Sequence, residues 1–189
     1  MRKNSRYDFL SNESFLALCK KQREEIDRIY MRSNLEAHNN EVAVIKDIAL
    51  KYCRGYGLDV GCSNHKLSGS IGVDLNRAAN PDVLSPADCI PLEPEKCDYV
   101  FSSHCLEHMD NIEKTLLEWK RLLKKRGILF LYLPHEMSAF WSIRAMNGIH
   151  KWEFNHELLS YFLQTLDFSI KECVVMDDFF SFYIVAFKN

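Results

Sequence analysis

Two carboxylates near strand ends raise the first chemical question. Asp59 lies in "GLDVG" (57–61) and Asp74 in "SIGVDL" (70–75), with the loop "CSNHKLSG" between them. One carboxylate at the end of an apolar strand can accept hydrogen bonds from two adjacent hydroxyls, and a ribose offers such a pair. A dinucleotide site would need more, because three glycines must let backbone N–H groups close on a pyrophosphate at a helix N-terminus. Here Gly61 alone has that position, and the loop after it is too short for a full helix before the next strand. The pattern points to a nucleoside without a pyrophosphate.

These side chains need a frame, and the spacing of apolar residues supplies one. "GLDVG", "SIGVDL", "PDVLS", "CDYVFSS" (97–103) and "GILFLYLP" (127–134) read as strands. The last of these is almost continuously apolar, as in a parallel sheet covered on both faces. Helices are predicted over 11–34, over 36–53 up to the "RGYG" stop, over "DNIEKTLLEWKRLLKK", and over "NHELLSYFLQTL". In the third helix Asp110 is the expected N-cap with Glu113 completing a capping box, and Ile112, Leu116, Trp119 and Leu123 share one face. In the fourth, Asn155 is the cap and Leu158, Leu159, Phe162, Leu163 and Leu166 point inward. "FSIKECVVM" and "FFSFYIVAFKN", joined at Asp177-Asp178, form an expected antiparallel pair. The sum is an open α/β sheet of about seven strands with an antiparallel edge, which binds ligands outside the carboxyl ends of its strands.

Composition narrows the partners. A formal charge of −2 gives no basic field for nucleic acid or an anionic membrane, and 47% hydrophobic residues suffice for one core. No apolar run reaches the ~20 residues of a membrane span. Seven cysteines without disulfide spacing, in a chain opening "MRKNSRYDFL", make a cytoplasmic protein the expectation. The expected partner is a small molecule, with no nucleic acid and no membrane.

"LDVGCS", "GVDL", "PADCIPL" and "DYVFSSHCLEHMDN" followed by "LLKKRGILFLYLP" stand in an order that resembles the class I S-adenosylmethionine-dependent methyltransferases, in particular the methyltransferase type 11 group. The resemblance covers about 40–189 and implies a Rossmann-like fold with S-adenosyl-L-methionine as cofactor. By resemblance, Asp59 and Gly61, with Cys62 and Ser63, line the methionine part of the cofactor. Asp74 with Leu75 holds the ribose, Asp88 with Cys89 reaches the adenine, and Ser103 and His104 border the cofactor after the fourth strand. Two departures stand out: Gly61-Cys62-Ser63 replaces a Gly-x-Gly, and the first two strand connections are trimmed. Residues 1–34 are expected to form a helical lid or appendage on a methyltransferase domain spanning 35–189.

The same resemblance puts His108, His135 and His150 on the substrate side. If the acceptor is a hydroxyl it needs a base, and His135 is favoured over His108. Phe140, Trp141, Trp152 and Phe154 could wall an acceptor. Cys62/His65 and Cys105/His108 have zinc-ligand spacing, but the family's turn accounts for these letters, and no metal is expected. The implied activity is methyl transfer to an oxygen or nitrogen of a small acceptor, such as a sugar or another metabolite. Two alternatives remain: an inactive cofactor-binding partner subunit of the same fold, and an NAD-dependent oxidoreductase.

Overall fold

Short β-branched and aromatic runs, each bounded by glycine or a polar turn, build the sheet that carries the site. The computed structural model describes residues 41–138, 141–143, 146–174 and 180–189, together with 17, 20 and 21. The rest of the expected helix over 11–34, the boundary at 34, Phe140 and the Asp177-Asp178 turn lie outside these residues. The elements are α1 (Glu41–Tyr52), β1 (Gly57–Val60), β2 (Ile71–Asp74), β3 (Val83–Leu84), β4 (Cys97–Ser103), α2 (Ile112–Leu122), β5 (Leu123–Pro134), α3 (His156–Thr165), β6 (Phe168–Val174) and β7 (Ser181–Lys188).

The sheet has seven strands in the order β3-β2-β1-β4-β5-β7-β6. Strands β1 to β5 pair in parallel, and β7 runs antiparallel to both β5 and β6. The chain steps outward from β1 to β3 and returns on the other side of β1 as β4. The order thus reverses between β1 and β4, where open α/β sheets hold ligands. On one sheet face α2 and α3 bury Leu116, Trp119, Leu159 and Leu163 against Val100, Leu129 and Ile184. On the other, Ile45 and Ala49 of α1 meet Tyr99, Phe101 and Phe130. A fully buried leucine or phenylalanine contributes about 1.5–3 kcal/mol.

Three helix details differ from expectation. The cap of α2 is Asn111, whose side chain accepts from Lys114 N at 2.9 Å, one residue beyond Asp110. Leu123 lies in β5, because the helix passes into the strand without a loop and Leu122 takes the last inward position. Asn155 does cap α3, yet Leu158 is 70% exposed, so the buried stripe is Leu159 and Leu163. Between β5 and α3, residues 135–155 leave the sheet and return, and their two ends meet in an isolated parallel bridge between His135 and Phe154.

Candidate active site

At the end of β1 the chain turns through Gly61, whose φ of 78° lies in the left-handed region that other residues enter only with strain. A Cβ there would come within 2.5 Å of Cys105 Cβ, so the turn needs glycine for space as well. This close approach joins the ends of β1 and β4 and leaves a cleft in two lobes that share Gly61 and His108. One lobe, about 250 Å³, is bordered by Ser63, Ser103, His104, Trp141 and His150. The other, about 290 Å³, is bordered by Asp74, Leu75, Ser85, Asp88 and Met109.

In the second lobe Asp74 is held by its surroundings. Its two oxygens accept from Ser63 N at 2.9 Å and Asn76 N at 2.8 Å, which leaves lone pairs on each for a ligand's hydroxyls. Asp88 sits across the lobe, paired with Lys114 at 2.6 Å. Asp59 lines neither lobe. It is buried beneath the loop, where one oxygen accepts from Leu67 N at 2.6 Å and the other has no hydrogen-bond partner. Burial pushes its carboxyl up to about 7, against the opposing effects of the Leu67 N–H and Lys66. Asp59 therefore fixes the loop from below. Cys62 borders the first lobe, whereas Cys89 is exposed and borders neither.

The first lobe is rich in imidazole. His104, at a left-handed φ of 47° directly after β4, turns its ring inward, 4.7 Å from the ring of Trp141. Its Nε2 meets Ser181 Oγ at 3.1 Å, and burial pushes it down to about 3, so it is neutral. His108 Nδ1 bonds Ile149 O at 3.0 Å, and His150 Nδ1 bonds Trp141 O at 2.8 Å. Between these rings lies Glu107, fully buried, a residue that sequence reasoning missed although an acid flanked by histidines in "HCLEHM" was its signal. Among the described residues, neither of its oxygens has a hydrogen-bond partner beyond its own backbone. Burial pushes this carboxyl up to about 8. Lys151 N and Trp152 N donate to Glu107 O at 2.8 and 3.3 Å and pin residue 150 against the turn.

The other sequence-derived candidates separate. His135 is buried outside the cleft, with Nε2 3.2 Å from His156 Nδ1 and Nδ1 accepting from Met137 N at 3.1 Å. Trp152 and Phe154 line a different hollow, beside the first turns of α2 and α3, so among the described residues of the expected aromatic wall Trp141 is the one that reaches the cleft. Cys62, His65, Cys105 and His108 do not converge. Among the described residues, the group whose ligand atoms meet is Glu107, His108 and His150.

The geometry fits the cofactor implied by the sequence. The glycine turn is a cradle that a Cβ would obstruct, Ser103 Oγ is buried without a hydrogen-bond partner beside it, and Asp74 offers lone pairs at the end of β2. A model of a methyltransferase domain matches residues 44–131. No curated protein matches the sequence. Solved structures share the fold: a methyltransferase from Thermotoga maritima, described as a possible histamine N-methyltransferase, has a TM-score of 0.66 at 17% identity and covers 88% of this chain and 98% of its own. S-adenosylmethionine-dependent methyltransferases from Aquifex aeolicus and Archaeoglobus fulgidus give 0.64 at 15% and 0.62 at 20% identity. The first covers 83% of this chain and 98% of its own, and the second 82% and 97%. The matched domain and the shared fold are those seen in S-adenosylmethionine-dependent methyltransferases, and they imply S-adenosyl-L-methionine as the cofactor.

Proposed function

We propose that this chain is a class I S-adenosylmethionine-dependent methyltransferase that transfers the methyl group to an oxygen or nitrogen of a small acceptor seated in the imidazole-lined lobe. The observation that carries the reading is the division of one cleft into a lobe with an anchored carboxylate and a lobe with histidines, joined at Gly61. Asp74 would accept from the ribose hydroxyls, Leu75 and Asp88 would flank the base, and Gly61, Ser63 and Ser103 would hold the amino-acid end.

When bound, the cofactor supplies an activated methyl group with a thioether leaving group already built in. The protein's share is alignment and exclusion of water. Trp141 and His104 form the wall against which an acceptor would rest, and His108, one third exposed at the junction of the lobes, is the group best placed to receive or orient an acceptor proton. His135 is outside this wall, so the role favours His108.

Calorimetric titration tests the reading. The full chain should bind S-adenosylhomocysteine with one-to-one stoichiometry and show no heat with NAD. Binding of NAD alone would replace the reading with an oxidoreductase. Binding of the homocysteine nucleoside without methyl transfer to any screened alcohol or amine would favour the inactive partner subunit.

A further inference from the structure

We propose that Glu107, His108 and His150 form a binding site for a first-row divalent metal ion, and that this ion ligates a hydroxyl of the methyl acceptor. The second half of the proposal rests on the methyltransferase reading; the first half does not.

Among the described residues, the buried Glu107 carboxylate lacks donors. Taking a carboxylate out of water costs several kcal/mol unless charge or hydrogen bonds replace the lost hydration. Around Glu107 Oε1 stand His104 Nδ1 at 3.5 Å, His108 Nε2 at 3.9 Å and His150 Nε2 at 3.9 Å. All three are too far for hydrogen bonds. Two of them also have the wrong polarity. Backbone carbonyls only accept, so His108 and His150 must each carry a proton on the Nδ1 that meets Ile149 O or Trp141 O. In a neutral ring the lone pair then lies on Nε2, the atom that faces Glu107. Once the Glu107 carboxyl gives up its proton, acceptors converge on acceptors. A cation among them would turn this arrangement from repulsive to binding.

The spacing suits an ion. The ligand atoms of Glu107, His108 and His150 lie within 4.8 Å of one another. Bonds of roughly 2.0–2.2 Å to a central ion place ligands about 3–4.4 Å apart, which small side-chain shifts achieve here. The carbonyl bonds to both Nδ1 atoms are the outer support that metal-bound histidines use to fix tautomer and ring direction. Two imidazoles and one carboxylate favour zinc, manganese, iron or cobalt over magnesium or calcium, which prefer all-oxygen shells. Three protein ligands leave coordination positions open. Because His108 and His150 border the cleft while the fully buried Glu107 lies behind them, those positions face the lobe of Ser63 and Ser103.

A hydroxyl bound there becomes a stronger acid, as metal-bound water does. With Nδ1 on Ile149 O and Nε2 on the ion, His108 acts here as a ligand in place of a base, so the hydroxyl proton leaves to solvent, an oxygen lone pair would form the new bond to the methyl carbon, and the carbon–sulfur pair would remain on sulfur as a neutral thioether. The favoured acceptor is therefore an alcohol or phenol. An amine has no need of the ion.

The full chain, stripped with chelator and then dialysed, is titrated separately with Zn²⁺, Mn²⁺ and Co²⁺, with and without S-adenosylhomocysteine. The expected result is one ion per chain for at least one of the three. Glu107→Gln and His108→Gln should each weaken binding at least about tenfold, while His156→Gln, outside the cleft, leaves it unchanged; His108→Gln is at the cleft border and should fold even if the buried Glu107 variant does not. Bound Co²⁺ should give a visible absorption band that shifts when an alcohol acceptor is added. Binding of none of the three ions at millimolar concentration, or equal binding by wild type and His108→Gln, overturns the site. Stripped protein that still binds S-adenosylhomocysteine leaves the methyltransferase reading intact in that event. Conversely, an ion held by Glu107 and His108 in a chain that ignores S-adenosylhomocysteine keeps the site and removes the acceptor role.

Discussion

In the lobe at the end of β2 the carboxylates have partners: Asp74 accepts two backbone N–H groups, and Asp88 meets Lys114. In the lobe past β4 they do not, for Glu107 has three imidazoles within 4 Å and a hydrogen bond to none. The two halves of one cleft are thus prepared differently. The first is organised by hydrogen bonds before anything binds. The second holds unpaired polar groups in a buried setting, the arrangement that proteins reserve for charge to be delivered or moved.

This contrast predicts separable losses. The largest is in turnover: His108→Gln should lower methyl transfer to a hydroxyl acceptor by about 10²- to 10⁴-fold, with S-adenosylhomocysteine affinity within about threefold of wild type. His135→Gln, altered outside the cleft, should turn over near the wild-type rate. The contrast breaks if the two variants exchange behaviour in a steady-state assay run beside calorimetry.

Next comes a pH effect beneath the β2 side. The Asp59 carboxyl is raised by burial from its ordinary value to about 7, so the folded chain binds a proton that the unfolded chain gives up. Its contribution to stability is full below about pH 4 and is lost as pH rises through about 7. Asp59→Asn should remove that decline, and melting scans at pH 5 and pH 8 should differ by roughly 5–10 °C less in the variant. Identical pH profiles would mean that Asp59 is ionised in the fold.

Asp74→Ala should weaken S-adenosylhomocysteine at least about tenfold, since each hydrogen bond to a charged acceptor is worth roughly 1.5–3 kcal/mol. An unchanged dissociation constant would take Asp74 out of the site. The smallest effect belongs to the hollow beside α3: Leu158→Ser changes an exposed side chain and should shift stability by less than about 0.5 kcal/mol, with cofactor affinity unaltered.

The two lobes also differ in how far their residues lie apart along the chain. Gly61, Asp74 and Leu75 are close neighbours, and period-two runs flank them, so strand ends and the residues that follow could be read in order. The sheet was legible for the same reason, down to the antiparallel β6–β7 edge. Glu107 could not be understood that way, because its surroundings depend on His150 arriving from another segment and on which ring nitrogen each carbonyl engages. His135 shows the converse. Its place after β5 in sequence suggested the crevice, but its bridge to Phe154 turns it toward His156 and Phe182. A one-residue shift of the α2 cap arose because Asp110 and Asn111 are both capping residues, and only backbone geometry chooses between them.

The His135–Phe154 bridge has one more consequence, for how such a protein can diversify. The residues between its two ends supply Trp141 and His150, yet the ends themselves lie side by side, with Glu136 N donating to Phe154 O at 2.8 Å. A segment whose ends already meet can be lengthened, shortened or exchanged at little cost in closure entropy, because that cost grows only slowly with loop length. Descent could therefore rewrite the wall of the imidazole-lined lobe by swapping one cassette, leaving the β1–β2 half and its anchored Asp74 untouched.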